Sequence, residues 1–297
     1  MLVCSSAPAQ NLFMSSDGND TITEFSTAGV QSTFVSGLNY PQGLAFNSAG
    51  DLFEADYFSG NIYEFTPDGV KSTFASGLYT PLGLAFNSAG NLFVSSEGNG
   101  IIYEYTPGGV QSTFAHSGVS VPTGLAFNSA GDLFVANYTD GNVINEITPG
   151  GVVSTFASGL SYPCGLAFNS AGNLFESDFN SGNIYEFTTS GAKTTFASGL
   201  NTPLGLAFDG AGDLFVSEEY SGIITEITPG GVQSTFASGL SYPWGLAFNN
   251  AGDLFEADYG SGNIYEFTPG GVRSTFASGL SPMNSRRVGC KAPLPPG

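Results

Sequence analysis

The feature that most constrains the fold of this chain is a repeat of about 40 residues that fills almost its whole length. The repeat is clearest in the string Asp/Asn-Leu-Phe, which recurs seven times at steps of 40 or 41 residues. Its first residues are Asn11, Asp51, Asn91, Asp132, Asn173, Asp213 and Asp253. A fixed period of this length is typical of solenoids, repeat arrays and propellers. The fold must therefore be built from similar units that stack on one another.

Each unit contains four short apolar segments, which in the unit 41–78 are 43–46, 52–55, 61–65 and 71–75. The segments are rich in Phe, Tyr, Ile and Thr, and Gly, Pro or Asn stands in every gap between them, as turns require. Every window long enough for a helix contains Gly or Pro. A four-stranded antiparallel sheet cannot bury both of its apolar faces alone, so the sheets must stack and the ring must close. The pattern predicts an all-β propeller of seven four-stranded blades, with six blades as the alternative.

The repeats indicate a single propeller domain over residues 10–280, because closed all-β folds often reach this length as one domain. Its units start near residues 11, 41, 81, 122, 163, 203 and 243. The segment 1–9 resembles the end of a secretory signal, with Ala7-Pro8-Ala9 in the small-x-small form of a cleavage site. The alternative is that residues 2–5 form an ordinary strand. The signal-like start predicts a secreted, periplasmic or cell-surface protein.

Ring closure can be examined through the first strand of each unit. This strand has only six copies, which begin at Gly43, Gly83, Gly124, Gly165, Gly205 and Gly245. The N-terminal unit 11–38 therefore lacks its innermost strand, and either residues 2–6 or residues 284–291 of the C-terminal tail (281–297) could supply it. We expect the tail, because a blade shared by both termini locks the ring. A ring with one incomplete blade is the remaining alternative.

The charge of the chain excludes several classes of partner. Its net charge is −19 with only six Lys and Arg, and three of the six, Arg286, Arg287 and Lys291, lie in the tail. Nucleic acids and anionic membranes need cationic surfaces, so neither is an expected partner. No stretch is long enough to span a membrane, and a monomer is expected. The three cysteines are expected to be free thiols, and the alternative is a Cys4–Cys290 bridge in an oxidising compartment, since ring closure could bring the chain ends together.

The repeat also resembles a known family. The string Pro-x-Gly-Leu-Ala-Phe-Asn-x-Ala-Gly-Asp/Asn-Leu-Phe, followed by Gly-Asn-Ile-Tyr-Glu-Phe, is similar to the NHL repeat over residues 11 to about 280. It is also similar to the repeats of streptogramin lyases and of the senescence-marker/gluconolactonase family. The resemblance implies that the first strand is innermost. It also implies that the loops entering the first strand and leaving the second share one ligand-binding face.

The residues that carry catalysis in those relatives are not found at the matching positions. In gluconolactonase-like enzymes, acidic or Asn metal ligands stand between the Pro and the Gly. Here that position holds Gln42, Leu82, Thr123, Cys164, Leu204 and Trp244. Streptogramin lyases use a histidine base with bound magnesium, whereas the single histidine here, His116, lies outside this loop set. No catalytic residue is assigned.

Three glutamates are the strongest metal-ligand candidates in the sequence. Glu54, Glu176 and Glu256 stand on the second strand where the other units have Met or Val. Alternation places Leu52, Glu54 and Asp56 on one face. The hypothesis is that the three glutamates bind a divalent cation, Ca²⁺ or Mg²⁺, at the upper channel. The alternative is that each one accepts structural hydrogen bonds.

Aromatic residues near the presumed ligand face complete the candidate site. Tyr57, Tyr259 and Trp244, with Gln42, Thr123 and Cys164, are its candidate ligand-binding residues. Aromatic faces beside carboxylates suit a sugar ring or another amphipathic ligand, although aromatic residues also pack in cores. We therefore expect an exported binding module for a small molecule, glycan, polymer or protein. The alternative is a metal-dependent lactonase or lyase with a non-standard acidic site.

Overall fold

The computed structural model describes residues 2–4, 11–26, 30–116, 119–137, 142–249 and 251–280. Within these residues, 28 strands form seven separate four-stranded antiparallel sheets and no helix is present. The prediction of seven blades is confirmed over the alternative of six. Each blade takes four consecutive strands, so blade 1 is β1–β4 and blade 7 is β25–β28.

The strands of each blade run in order from the channel outwards. The first strands are β1 Leu2–Cys4, β5 Pro41–Phe46, β9 Pro81–Phe86, β13 Pro122–Phe127, β17 Pro163–Phe168, β21 Pro203–Phe208 and β25 Pro243–Phe248. The second strands are β2 Leu12–Ser16, β6 Leu52–Asp56, β10 Leu92–Ser96, β14 Leu133–Asn137, β18 Leu174–Asp178, β22 Leu214–Glu218 and β26 Leu254–Asp258. The third strands are β3 Thr21–Phe25, β7 Asn61–Phe65, β11 Ile101–Tyr105, β15 Val143–Ile147, β19 Asn183–Phe187, β23 Ile223–Ile227 and β27 Asn263–Phe267. The fourth strands are β4 Gln31–Ser36, β8 Lys71–Ala75, β12 Gln111–Ala115, β16 Val153–Ala157, β20 Lys193–Ala197, β24 Gln233–Ser238 and β28 Arg273–Ala277.

Two recurrent turns fix the length of the strands. Between the first two strands of blade 2, the Asn47 side-chain oxygen accepts hydrogen bonds from the amides of Ala49 and Asp51, at 2.9 and 2.8 Å. Between the second and third strands, Gly60 has φ 70°, and a Cβ there would collide with the carbonyl oxygen of Leu78. Only glycine avoids both the unfavourable φ and the clash. These turns explain why the repeat is read so clearly in the sequence.

The hydrophobic cores lie between neighbouring blades. Phe53 and Ile62 of blade 2 pack against Leu92 and Val94 of blade 3. The same arrangement closes the ring, because Phe255 and Ile264 of blade 7 pack against Leu12, Met14 and Phe25 of blade 1. One face of each second strand therefore packs against the preceding blade, and the other face packs against the following blade.

The closing strand differs from the one expected. β1 pairs with β2 in the register Leu2↔Met14 and Cys4↔Leu12, so the N-terminal segment fills the innermost position of blade 1. The expectation that the tail fills this position is wrong. A short connection from β1 to β2 costs less loop entropy than pairing β2 with the opposite end of the chain. The tail itself, residues 281–297, lies outside the described residues.

Candidate functional site

The two loop sets predicted to form the ligand face do lie on one rim of the ring. The first strands contact one another around the axis, and Pro41 at the start of β5 is opposite Asp56 at the end of β6. In blades 2, 3, 5, 6 and 7, the backbone amide of the residue that follows the second strand donates to the carbonyl of the residue before the proline. Examples are the amides of Tyr57 and Tyr259, which donate to the carbonyls of Tyr40 and Tyr242 at 3.3 and 3.2 Å. We call this rim the upper mouth.

One position at the upper mouth alternates between acidic and aromatic side chains. It is the residue directly after the second strand, and it is acidic in blades 1, 3 and 6 and aromatic in blades 2, 5 and 7. Its described members are Asp17, Tyr57, Glu97, Phe179, Glu219 and Tyr259. Sequence reasoning selected Tyr57 and Tyr259 but missed the three acids. Aligning the seven units on this position would have revealed them.

The aromatic side chains form a continuous arc over blades 5 to 7. Ring centroids are 6.4 Å apart for Phe179 and Tyr220, 6.1 Å for Tyr220 and Tyr242, and 6.3 Å for Tyr242 and Tyr259. Trp244 continues the series at 5.9 Å from Tyr259, with the rings tilted by 35°. Tyr220 and Tyr242 are 52% and 46% exposed. This aromatic arc therefore offers ring faces to a ligand.

The acids of the mouth are held by tyrosine hydroxyls. Tyr57 Oη donates to Glu97 Oε2 at 2.6 Å, and the Tyr40 hydroxyl bonds to Asp17. Burial raises the pKa of Asp17, and the bond from Tyr40 offsets part of that rise. Burial also raises the pKa of Tyr259, and the nearby carboxylates of Asp17 and Glu219 raise it further. The mouth is thus an electronegative surface rich in hydrogen-bond acceptors.

The residues between Pro and Gly have different surroundings. Gln42 and Trp244 are half-buried at the mouth, and their carbonyls accept hydrogen bonds from Ser15 and Ser217 of the preceding blades, each at 2.7 Å. The side chain of Thr123 lies outside the described part of the chain. Cys164 is 5% exposed and packs with Phe179 and Leu204. Its side chain contributes little surface to a ligand.

Cys164 is also disulfide-bonded. Its sulfur lies 3.3 Å from the Tyr162 carbonyl, and because a disulfide sulfur carries no proton, this approach is a contact and not a hydrogen bond. The chain has three cysteines, so a bond to Cys164 uses one of the other two. The expectation that all three thiols are free is therefore wrong, and so is the alternative of a Cys4–Cys290 bridge.

The three candidate metal ligands lie in three different cores. Glu54, Glu176 and Glu256 are each 0% exposed, and each stands on the face of its strand that looks to the preceding blade. Their neighbours on that face belong to separate hydrophobic clusters, between blades 1 and 2, 4 and 5, and 6 and 7. Among the described residues, no group of three or more His, Cys, Asp or Glu side chains could hold a metal ion.

These glutamates are buried acids without hydrogen-bond partners in the described structure, since neither carboxyl oxygen of any of them has one. Burial raises their pKa well above the usual value, and the neighbouring Asp56, Asp178 and Asp258 raise it further. The amides of Gln42 and Trp244 approach Glu54 and Glu256 closely enough to lower the pKa somewhat, but not in the geometry of a hydrogen bond.

The aspartates two residues further on organise the loops of the mouth. Asp56 Oδ2 accepts from the Asn39 amide at 2.7 Å and Oδ1 from the Ser59 amide at 3.3 Å. Asp178 and Asp258 make the equivalent pairs of bonds. These carboxylates hold the entering loop to the exit of the second strand.

A separate cavity of about 510 Å³ opens at the opposite rim, between blades 4 and 5. Phe134 and Phe168 line it together with Asp132 and Glu146. Burial raises the pKa of Glu146, and Asp132 adds to the rise. No residue of the upper mouth contributes to this cavity.

Comparisons with known proteins agree on the fold. No protein-family model matches the chain, and no curated protein does. The structure is similar to virginiamycin B lyase from Staphylococcus aureus, with a TM-score of 0.75 and 19% identity over 81% of this chain and 85% of that one. It is also similar to a streptogramin B lyase, with a TM-score of 0.75 and 17% identity over 81% of this chain and 84% of that one. A gluconolactonase from Xanthomonas campestris is similar with a TM-score of 0.60 and 16% identity over 87% of this chain and 94% of that one. The predicted resemblance to these propellers is confirmed, and the chain shares their fold.

Proposed function

We propose that this protein is an exported binding module whose upper mouth binds basic peptide segments of other proteins. The observation that carries the proposal is the alternation of acidic and aromatic residues at one structural position, from Asp17 in blade 1 to Tyr259 in blade 7. A carboxylate can only accept hydrogen bonds, so a ligand held by Asp17, Glu97 and Glu219 must be a donor. Lys and Arg side chains donate, carry the opposite charge and stack on aromatic faces.

The charge of the whole chain supports a cationic ligand over a neutral one. A net charge of −19 raises the local concentration of cations and speeds their association. A neutral glycan would use the aromatic arc and could donate hydroxyl groups to the carboxylates, but it would gain nothing from this field. Glycans therefore serve as the competing class in the test.

Export is supported by the disulfide at Cys164. Disulfides persist in oxidising compartments and are rare in the cytosol.

Calorimetry on the full chain tests the proposal, in buffers with and without a reductant. The ligands are a nonapeptide with four Lys or Arg and one Tyr, the same peptide with Glu in place of the cations, and a neutral hexasaccharide. We expect the basic peptide to bind with a dissociation constant of about 1–100 μM, weakening as salt screens the charges. Binding of the hexasaccharide without the basic peptide would overturn the ligand class.

Two variants locate the binding surface. Glu97→Gln and Trp244→Ala should each weaken binding of the basic peptide by about tenfold, which corresponds to about 1.4 kcal/mol. Glu104→Gln, on the third strand of the same blade as Glu97, is the matched control and should bind as the unchanged protein does. The enzyme alternative has its own assay: turnover of lactones or streptogramin B with Ca²⁺, Mg²⁺, Mn²⁺ or Zn²⁺ would overturn the proposal of a binding module.

A further inference from the structure

The cavity between blades 4 and 5 differs from the upper mouth in both position and chemistry. Its volume of about 510 Å³ lies within the range of about 300–1,000 Å³ that is usual for small-molecule sites. Its apolar lining is aromatic, because the Phe134 ring packs against Phe156 and Phe168 with ring centroids 4.8 and 5.2 Å apart. Its polar lining includes Asp132 and Glu146 of blade 4. A ligand here would meet phenyl rings and carboxylates together.

Glu146 differs from the glutamates at the equivalent position of the other six blades. In blades 1, 3 and 5, an asparagine amide donates to that glutamate at 2.6–2.7 Å. In blades 2, 6 and 7, a serine hydroxyl donates to it at 3.4 Å. In blade 4, the Ser154 hydroxyl bonds to the backbone carbonyl of Glu146 instead. Among the described residues, none donates to the Glu146 carboxylate, so this group is available to a ligand.

Asp132 accounts for the missing amide donor. It stands where blades 1, 3 and 5 have the asparagine, and in those blades the two side chains are within hydrogen-bond distance. Two carboxylates therefore lie close together in blade 4, and Asp132 adds to the raised pKa of Glu146. Asp132 itself accepts from the Asn128 side-chain amide at 2.9 Å. A cation beside both carboxylates would relieve their repulsion.

Thr189 adds a third acceptor that is specific to this cavity. Five other blades have a proline at the equivalent position, namely Pro67, Pro107, Pro149, Pro229 and Pro269. Proline has no side-chain polar group, whereas the threonine hydroxyl both accepts and donates hydrogen bonds. Thr189 lines the cavity from blade 5. Both blades thus contribute polar groups to the same space.

This lining selects one class of ligand. The cavity lining contains no Lys, Arg or His, so an anion would find no charged partner. A divalent cation takes about 6–8 oxygen ligands, and no group of three or more possible metal ligands occurs in the described part of the chain. A protonated primary amine has three N–H donors for the three acceptors. Phenyl rings attract such a cation and pack against an apolar body.

We propose that the cavity between blades 4 and 5 binds a small primary amine that carries an aromatic ring. The ammonium group donates to Glu146, Asp132 and the Thr189 hydroxyl, and the ring of the ligand packs against Phe156 and Phe168. The proposal is independent of the proposed function, because the cavity and the upper mouth share no lining residue.

Calorimetry on the full chain tests the ligand class with three probes. 2-Phenylethylammonium has both the charge and the ring, 2-phenylethanol lacks the charge, and ethylammonium lacks the ring. We expect a dissociation constant of about 0.1–1 mM for 2-phenylethylammonium, as is usual for so small a ligand, and affinities at least about tenfold weaker for the other two. Equal binding of the alcohol, or no binding of 2-phenylethylammonium at millimolar concentration, would overturn the proposal.

Three variants test the position of the site. Glu146→Gln should weaken binding of 2-phenylethylammonium by about tenfold, and Thr189→Pro by about fivefold, the usual effect of one hydrogen bond. Thr189→Pro gives blade 5 the residue of its neighbours, so it should fold. Glu64→Gln is the matched control, because blade 2 has Asp51 at the position of Asp132, and it should bind as the unchanged protein does. Equal weakening in Glu64→Gln, or unchanged affinity in Glu146→Gln, would refute the site.

Cross-tests keep the cavity separate from the upper mouth. Trp244→Ala should bind 2-phenylethylammonium normally, and Glu146→Gln should bind the basic nonapeptide as the unchanged protein does. Loss of amine binding in Trp244→Ala would show that the aromatic arc binds the amine, and the proposal for the cavity would be wrong. If the amine binds as expected but the nonapeptide does not bind at all, the proposed function fails while the amine site stands.

Discussion

Two sets of blades in this ring bury different side chains at the same position of the second strand. Blades 2, 5 and 7 have a glutamate there, and blades 3, 4 and 6 have a valine. The residues are Glu54, Glu176 and Glu256 against Val94, Val135 and Val216, and all six are 0% exposed. Because the units share their backbone and most of their sequence, the comparison isolates what a propeller core needs in order to hold an acid.

The glutamate blades share two further features. A tyrosine lies directly opposite the acid on the third strand, as in Glu54↔Tyr63 and Glu176↔Tyr185, and valine blade 3 has one too, Tyr103 opposite Val94. In the glutamate blades, a cation from the fourth strand lies over the ring of that tyrosine. The cations are Lys71, Lys193 and Arg273, at 3.6, 3.6 and 5.0 Å from the ring centroids. In the valine blades, the fourth strand begins with Gln111, Val153 and Gln233.

The positive charges of the propeller body therefore accompany its buried acids. Three of the six Lys and Arg are in the tail, and the other three are these cations. Each one lowers the pKa of its glutamate, although burial remains the largest effect and keeps the pKa raised. Because the tyrosine lies between the glutamate and solvent, the cation over its ring lowers the pKa of the glutamate without being buried itself. The difference between the two sets is thus the acid together with its cation, since blade 3 shares the tyrosine.

The largest expected effect comes from placing the acid in a blade without the other two residues. Val135 packs against Phe93 and Ile102 of blade 3, and its own blade has Asn145 opposite it and Val153 on the fourth strand. Val135→Glu should lower the free energy of unfolding by about 3–5 kcal/mol, since an uncompensated acid is buried. Guanidinium denaturation measures this loss of unfolding free energy.

Val135→Met is the control, because blade 1 has Met14 at this position. This variant should lower the free energy of unfolding by less than about 1.5 kcal/mol. Equal losses in the two variants would show that side-chain volume, and not charge, determines the cost.

A smaller effect in the opposite direction is expected from removing an acid. Glu176→Val introduces the residue of blades 3, 4 and 6 and should raise the free energy of unfolding at pH 7 by about 1–3 kcal/mol. The gain is expected because folding of the variant no longer has to desolvate a carboxylate or protonate it. The pKa of Glu176 is raised in the folded state by burial and then by Asp178. The contribution of Glu176 to stability is therefore most favourable below the unfolded value of about 4.3, and it is lost as pH rises toward the folded value.

The gain from Glu176→Val should consequently grow from pH 4 to pH 8. Urea denaturation of both proteins across this range gives the difference directly, and effects common to all other carboxylates cancel in it. A gain that is the same at every pH would show that the pKa of Glu176 is not raised in the folded state.

The comparison also shows how far the sequence could predict the fold and the site. Turn residues such as Asn47 and Gly60 recur at fixed spacing, so the seven blades and their strands were readable. The first strand of blade 1 was only one of two candidates, because Leu2–Cys4 lacks the Gly-Leu-Ala-Phe string and is recognised by its place beside β2. Alternation correctly placed Leu52, Glu54 and Asp56 on one face. It could not tell whether that face looks to the channel or to a neighbouring blade, because both arrangements have the same period of two.

The smallest effect should come from removing the cation alone. Lys193→Gln gives blade 5 the residue of blades 3 and 6, and it should lower the free energy of unfolding by about 0.5–1 kcal/mol, the usual contribution of an exposed cation–π contact. Because Lys193 also lowers the pKa of Glu176, the loss should be larger at pH 8 than at pH 5, where more of the carboxyl is protonated. In the Glu176→Val background only the contact of Lys193 with Tyr185 remains, so there the loss should be independent of pH.

A double-mutant cycle measured at both pH values separates the cation–π contact from the effect of Lys193 on Glu176. A pH-dependent loss that persists without Glu176 would show that Lys193 acts on another acid.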